Sequence, residues 1–487
     1  MSSKSHDLGE ETHIEDVGLS PERQQYIISR HGTLDLDPLP SDDPADPLNW
    51  NPWKKHTTLF LVSFHAMMTT FISASINPAY ESIAEELSIS IQTASYLTAV
   101  NILFLGIAPF FWKPFSRCYG RRPVFILSTG LSCIANIGCA VSHSYGSMMV
   151  CRILVAVFIC PPLSIGPGVV TELFFAHERG RKMGIWSLMT TLGPPSGPFF
   201  MGFVAYHVNW RWIYWISAIT NIVQCVLYIF FGPETRYVGR HSGSPRLGQY
   251  FYFRRIDPKP MAWSEFYNPL LLARHVNILL PTISFAIVFG FASVTLAVEI
   301  PLLFGSRFHF NGQQLGLQYL ALMIGSVLGE QAGGPLSDFF MAHLRKQAEP
   351  GHRSAPESRL WISYFGYATT IAGLCVFAIQ LEHAEAEWDV SPLVGIAIAA
   401  FGNQMITTIT ITYSIDCHEG QSASIGVFFG LFRAVWGFIC PLFAPQMFTG
   451  LGLYGSAGLM TGLVVVVGVL PIVAVHVYGF RTGTRTK

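Results

Sequence analysis

The chain has 487 residues, of which 51% are hydrophobic and only 12% charged, and its mean hydropathy is +0.40. Soluble domains carry about 25% charged residues, so a water-soluble globular fold is excluded and lipid is indicated as the solvent. Positive and negative side chains balance to a net charge of zero, which argues against a nucleic-acid partner, for which a concentrated basic face is expected.

The chain opens with "MSSKSHDLGEETHIEDVGLS", which lacks the basic-then-apolar pattern of a cleaved signal peptide. Residues 1–52 are expected to form a disordered cytoplasmic tail. Six apolar runs follow, at 57–80, 94–113, 123–142, 147–173, 183–206 and 211–232. Each is long enough to cross a hydrocarbon core of about 30 Å as helix. The stretch 233–276 is polar and too interrupted to span, so it reads as a cytoplasmic linker. Six further runs occupy 277–305, 313–337, 360–381, 391–415, 421–448 and 453–480. The expected architecture is therefore all-α, with twelve transmembrane helices in two six-helix units at 53–232 and 277–480, and a short cytoplasmic tail at 481–487.

Lysine and arginine in short loops mark the cytoplasmic side. Only Arg211 and Arg307 fall in expected outer loops, and Arg152 and Arg433 fall inside spans; every other one lies on the side that holds both termini. Both ends are thus expected in the cytoplasm. The nine cysteines form no CxxC pair and lie mostly within spans, where they read as small hydrophobes.

The fifth run, "SLMTTLGPPSGPFFMGFVAY" at 187–206, carries Pro194, Pro195 and Pro198 together with Gly193 and Gly197. In water each interior proline costs a helix about 3 kcal/mol or more. Within a bundle, neighbouring helices or cavity water can take up the freed backbone groups, and glycines admit a neighbour closely.

Charges within spans cost at least about 2.5–3.5 kcal/mol at mid-helix and normally face a partner or a wet cavity. Arg433 lies deep, Glu330 about two turns in from the cytoplasmic side, and Glu299 and Arg152 nearer the outer face; Glu172 and Asp416 sit at inner helix ends. Glu330 and Arg433 are close enough in depth to pair, which selects Glu330 over Glu299 as the carboxyl whose proton affinity could alternate between wet and dry surroundings. His65, Asn77, Asn101, Asn403 and Gln404 are polar residues that either line a cavity or bind helix to helix. Trp210, Trp212 and Trp215 fall at an expected interface.

No GxxxxGK[ST] sequence supports ATP-driven transport, no HExxH spacing supports a metalloenzyme, and no filter loop interrupts the spans. No enzymatic activity and no cofactor are expected.

The segments "DPADPLNW" at 43–50, "YGRRPV" at 119–124, "HERGRKMGIWS" at 177–187, "LGPPSGP" at 192–198, "NWRWIYWI" at 209–216 and "PETRY" at 233–237 occur in this order. Together they resemble fungal members of the major facilitator superfamily, above all the twelve-span drug:proton antiporters. The resemblance implies two six-helix bundles with a midplane cavity between them, and transport by rocking. It implies a monomer in the plasma membrane with protons and a small organic molecule as partners. Gly193, Pro194, Gly197 and Pro198 match the antiporter motif of the fifth span. Gly120, Arg121 and Arg122 match the loop motif of a cytoplasmic gate, although Arg117 stands where that motif has an acid. Gly334 and Asp338 in "GGPLSD" match its second-half copy. Arg152 matches the arginine of the fourth span, without the glycine that usually follows. The expected function is proton-coupled export of drugs, toxins or secondary metabolites; proton-coupled uptake of small amines or other metabolites is the alternative.

Overall fold

The structure, a computed structural model, describes residues 21–32, 36–237, 255–257, 261–347, 356–384, 388–418 and 421–483. Every regular element among them is helical. A short helix α1 (Pro21–His31) precedes α2 (Pro52–Ala74), which is continued after a turn at Asn77–Ala79 by α3 (Tyr80–Leu87). The second span is broken into α4 (Ile91–Ile107) and α5 (Pro109–Tyr119), bent by 41°. There follow α6 (Arg121–Ala140), α7 (Tyr145–Ile159) with α8 (Pro161–Leu173), α9 (Ala176–His207) and α10 (Arg211–Phe231). Pro109 and Pro161 begin α5 and α8, where a missing N–H costs nothing inside the new helix but interrupts the ladder of the old one.

The second half starts with a short helix, α11 (Ser264–Leu271), and then α12 (Val276–Phe289), a π-helical turn at Gly290–Thr295 and α13 (Leu296–Phe308). It continues with α14 (Gly312–Gln347), α15 (Leu360–His383), α16 (Ser391–Cys417), α17 (Ser422–Leu463), a π-helical stretch at Val464–Val469 and α18 (Leu470–Gly483).

Among the described residues, eight helical stretches are long and apolar enough to cross a membrane, or nine with the bent second span. One of them, Ser422–Val477, has 56 residues, which would run about 84 Å as one rod. Gly452, at φ 68° and ψ 179°, breaks it. The chain turns back there: the Ser284 hydroxyl donates to the Gly468 carbonyl at 2.9 Å, while the adjacent Phe285 meets the Phe429 ring at 5.7 Å. The two remaining rods, α9 and α14, fall outside the strongly apolar set because their polar and glycine-rich faces meet each other between the halves. Twelve rods in two groups of six result. Large apolar side chains such as Phe60, Ile134, Phe200 and Phe230 stay exposed on the outward faces, as lipid contact requires.

The fifth span stays helical through all three prolines. Pro194 deprives the Thr190 carbonyl of its usual donor, and the Thr70 hydroxyl of α2 donates to that carbonyl instead, at 3.1 Å. Close approach makes this possible: a Cβ on Gly193 would lie 2.6 Å from the Met67 carbonyl oxygen, and one on Gly197 would lie 2.5 Å from that of Phe71.

One expectation fails at the N-terminus. The part of the tail that is described is packed rather than disordered: Ile27, Leu36, Leu48 and Phe175 form a small buried cluster. The Arg30 Nε donates to the Asn49 carbonyl at 3.1 Å and Lys55 Nζ to the Leu48 carbonyl at 2.8 Å. Leu48 and Phe175 supply the apolar surface that a purely polar tail would lack. Residues 1–20 lie outside the described residues, as does the middle of the linker at 238–254.

Gly197→Ala should lower the melting temperature of the purified protein and cut transport, because overpacking against a backbone oxygen costs about 1–3 kcal/mol. Gly184→Ala, on the same helix with open space beside it, should leave both unchanged or raise stability slightly. Equal behaviour of the two variants would show that the α2–α9 contact is not limiting.

Candidate functional site

Three helices meet around one carboxylate between the halves. Ser187 and Thr191 lie one turn apart on α9, Glu330 sits on α14, and Gln404 and Thr408 lie one turn apart on α16. The Ser187 hydroxyl donates to Glu330 Oε1 at 2.7 Å. Gln404 Nε2 donates to Oε2 at 2.5 Å and to Thr191 Oγ1 at 3.1 Å, and the Thr408 hydroxyl reaches Oε2 at 3.2 Å. Gly329 brings α16 this near, since a Cβ there would lie 2.4 Å from the Phe401 carbonyl oxygen. Glu330 is thus held by donors from both halves of the molecule.

The expected pairing of Glu330 with Arg433 is not formed. Arg433 lies on α17 with its guanidinium over the Phe289 ring at 5.0 Å, and no carboxylate among the described residues is within ion-pair distance of it. Depth along the helix axis was matched; direction was not. Glu330 faces the seam where α14 meets α9, whereas α17 meets α4 at the other seam, where a Cβ on Gly106 would lie 2.3 Å from Ala434 Cβ.

Arg152 is fully buried and satisfied by main-chain oxygens, Ile72 at 3.0 Å, Ser73 at 2.7 Å and Leu97 at 3.4 Å. Ile72 and Ser73 belong to the last turn of α2, whose carbonyls have no intrahelical donor and carry the negative end of the helix dipole. Asn101 in turn donates to the Arg152 carbonyl at 2.9 Å, so it joins helix to helix and does not line a cavity. Glu299 is 2% exposed and its Oε1 has no hydrogen-bond partner. Close by in the chain, Asn77 Nδ2 donates across the halves to the Ala297 carbonyl at 3.1 Å, and Asn77 Oδ1 accepts from Tyr80 at 2.7 Å and from Thr98 at 3.1 Å. Gln92 Nε2 crosses the halves as well, to the Pro441 carbonyl at 2.8 Å. These bonds tie the halves at the end away from the termini.

His65 is not in a cavity either. It is wholly buried inside the first half, against Phe125 and Tyr228, with Nδ1 3.3 Å from the Tyr228 hydroxyl. Asn403 is 3% exposed, and its Oδ1 lacks a partner. Of the five residues expected either to line a cavity or to join helices, Gln404 reaches the α9–α14 seam and Asn77 bonds across the halves at the end away from the termini.

At the end that carries the termini, Arg121 meets Glu172 at 2.8 Å and Ser116 at 2.7 Å. Glu234 of "PETRY" accepts the backbone N–H groups of Arg121 at 2.9 Å, Arg122 at 3.0 Å and Arg236 at 2.9 Å. Burial pushes the Glu234 carboxyl above the usual range, against the pull of those three donors. Gly120 has φ +94°, and a Cβ there would strike Glu234 Oε2 at 2.3 Å, so the glycine is required on both counts. Arg117, standing where the related motif has an acid, pairs with acids beyond the sixth span: Glu265 at 2.5 Å and Asp257 at 3.7 Å. Lys113 Nζ also reaches Ser424 Oγ in the other half at 2.8 Å. In the second half Arg359 joins Asp338 and Asp416, each at 3.0 Å, while Gly334 has open space beside it and no close neighbour to explain it. Sequence reading missed Glu234 and Glu265 as partners. The available signal was the charge reversal at Arg117, which left a basic cluster in need of acids.

Residues 59–441 match the family model of the Major Facilitator Superfamily. The efflux pump radE of Floropilus chiversii is 26% identical over 92% of this chain and 84% of its own length. The MFS-type transporter hepF of Aspergillus oryzae is 26% identical over 96% of both chains. Among solved structures, the peptide transporter POT superposes with a TM-score of 0.64 at 13% identity over 88% of this chain and 96% of that one. The human organic anion transporter MFSD10 does so at 0.58 and 14%, over 87% and 99%. The chain therefore belongs to the major facilitator superfamily and is an integral, multi-pass secondary transporter, not an enzyme.

Proposed function

We propose that the protein exports small organic molecules in exchange for protons, with Glu330 as the carboxyl that binds and releases the proton. The observation that carries this reading is the division of the Glu330 donors between the halves: Ser187 from the first, Gln404 and Thr408 from the second. Rocking that separates α9 from α14 removes Ser187 and frees Gln404 from Thr191. A carboxyl whose hydrogen bonds change between two states changes its proton affinity between them, which is the property coupling needs. Outward direction is supported by kinship with the efflux pump radE and by the glycine–proline segment of α9. Secondary metabolites are the substrates this kinship favours.

In reconstituted vesicles, Glu330→Gln should retain substrate exchange and lose proton-driven accumulation. The same split in Glu299→Gln with Glu330→Gln behaving as wild type would move the coupling site to α13. Accumulation that ignores an uncoupler in the wild type would remove proton coupling altogether.

Both termini and the linker are proposed to face the cytoplasm, on the charge asymmetry of the loops. Tags at the N-terminus, at Gly243 and at the C-terminus should be reached by antibody only after permeabilisation. Labelling of Gly243 in intact cells would overturn the arrangement.

The charged layer at the terminal end is proposed to be the gate on that side, with linker acids replacing the missing loop acid. Arg117→Glu should slow transport roughly tenfold, a change of about 1.4 kcal/mol, and Arg117→Glu with Glu265→Arg should recover most of it. Failure of the paired swap to recover more than Glu265→Arg alone would show that the contact is incidental.

A further inference from the structure

Among the described residues no carboxylate pairs with Arg433, a cation in the part of the molecule where such a group is most expensive. It lies eleven residues into α17, roughly 17 Å from the end at Ser422, hence near the middle of the membrane. It is only half-buried, so open space reaches part of its side chain.

The faces of α17 locate that opening. Phe429 meets Phe285 of α12, and Trp436 and Cys440 pack on Gly290 at the start of the π-helical turn. On another face, Ala434 meets Gly106 of α4. Between these two contacts runs the strip Gly426, Gly430, Arg433 and Gly437, at the i, i+4, i+7, i+11 spacing of one helix face. Gly426 and Gly430 have open space beside them, and Gly426 is exposed; Gly437 is closed off by Ile102 of α4 and by Val294. The strip thus borders a cleft, open beside Gly430, exposed at Gly426 next to the Lys113–Ser424 bond across the halves, and closed at Gly437 just past Arg433. Phe289 borders apolar clusters of both halves. Trp436, one turn beyond Arg433, has a buried indole N–H without an acceptor. Helical irregularities of the kind at Gly290–Thr295 are frequent at functional sites.

We propose that this cleft binds an organic anion, an aromatic carboxylate or phenolate, by its charged end at Arg433. The inference rests on the reading of the protein as a small-molecule carrier and names the substrate class of its central cleft. A guanidinium with one face on Phe289 keeps its edge donors for a carboxylate and its other face for a flat ring. Glu330 does not compete for it, being held by its own donors at the opposite seam. A lipid headgroup is the wrong occupant, because headgroups lie at the membrane surface and Arg433 does not.

Two xanthene dyes of opposite charge, fluorescein and rhodamine 6G, test this on the purified full-length protein by fluorescence polarisation, with no proton gradient and no direction of transport involved. The wild type should bind the anion at least tenfold more tightly than the cation. Arg433→Gln should lose that preference, with fluorescein at least tenfold weaker and rhodamine 6G unchanged or tighter. Arg433→Lys, which keeps the charge without the planar fork, should fall between. Equal affinity of the wild type for the two dyes, absence of fluorescein binding, or fluorescein affinity unaltered in Arg433→Gln would each overturn the proposal. Because the assay reads binding alone, a failure of proton coupling or export leaves its result intact, and the reverse.

Discussion

Close backbone approach at glycine is the constraint on which the molecule depends. Helices in lipid gain no hydrophobic drive from meeting one another, so packing and hydrogen bonding must hold them. Close approaches of this kind fall at the seams and inside the halves alike: Gly193 and Gly197 against α2, Gly202 against Gly312 and Gly316, Gly325 and Gly329 against α16, and Gly373 of α15 against α16. Each lets a backbone oxygen lie where a methyl group would otherwise be. The polar contacts follow from that proximity. Thr70 reaches the carbonyl that Pro194 leaves bare, and Gln404 reaches both Glu330 and Thr191, only because the intervening glycines remove side chains from the path.

Buried charge is handled by a second device. Arg152 takes no acid; it uses the carbonyl end of α2 as its counter-charge. Glu234 does the reverse, accepting the first N–H groups of α6. Helix ends thus replace ion pairs at both depths, and the side-chain acids of the linker remain to balance Arg117.

Much of this was legible from residue types. Apolar run length fixed twelve rods because lipid permits so little else, and the proline-rich fifth run announced a helix needing an outside donor. Side-chain direction was not legible. Reading depth alone set Glu330 opposite Arg433, although they project from α14 and α17 into opposite seams; polarity left His65 open between cavity lining and helix contact, and Phe125 and Tyr228 enclose it inside the first half. Periodicity over a nearly uniform apolar helix carries little angular information, since both lipid and protein faces are apolar. The packed tail was hidden for the opposite reason: Ile27 and Leu36 are too few to register in a polar segment, and their partner Phe175 lies far along the chain.

The two seams differ in what they hold, and that difference bears on how binding and coupling could communicate. At the α9–α14 seam the polar groups satisfy one another across the halves, so separation there breaks formed hydrogen bonds. At the α4–α17 seam the strip from Gly426 to Arg433 is already open, and the cation at its head awaits an acceptor. In the proposed cycle an anion at Arg433 compensates that cation. A proton on Glu330 weakens the hold of the donors on the other, since a neutral carboxyl accepts more weakly than a carboxylate. Each ligand therefore lowers the cost of opening a different seam. Rocking moves both seams as one body, so each ligand acts on the same transition; exchange requires that either one alone permit it, and coupling needs no direct contact between Glu330 and Arg433.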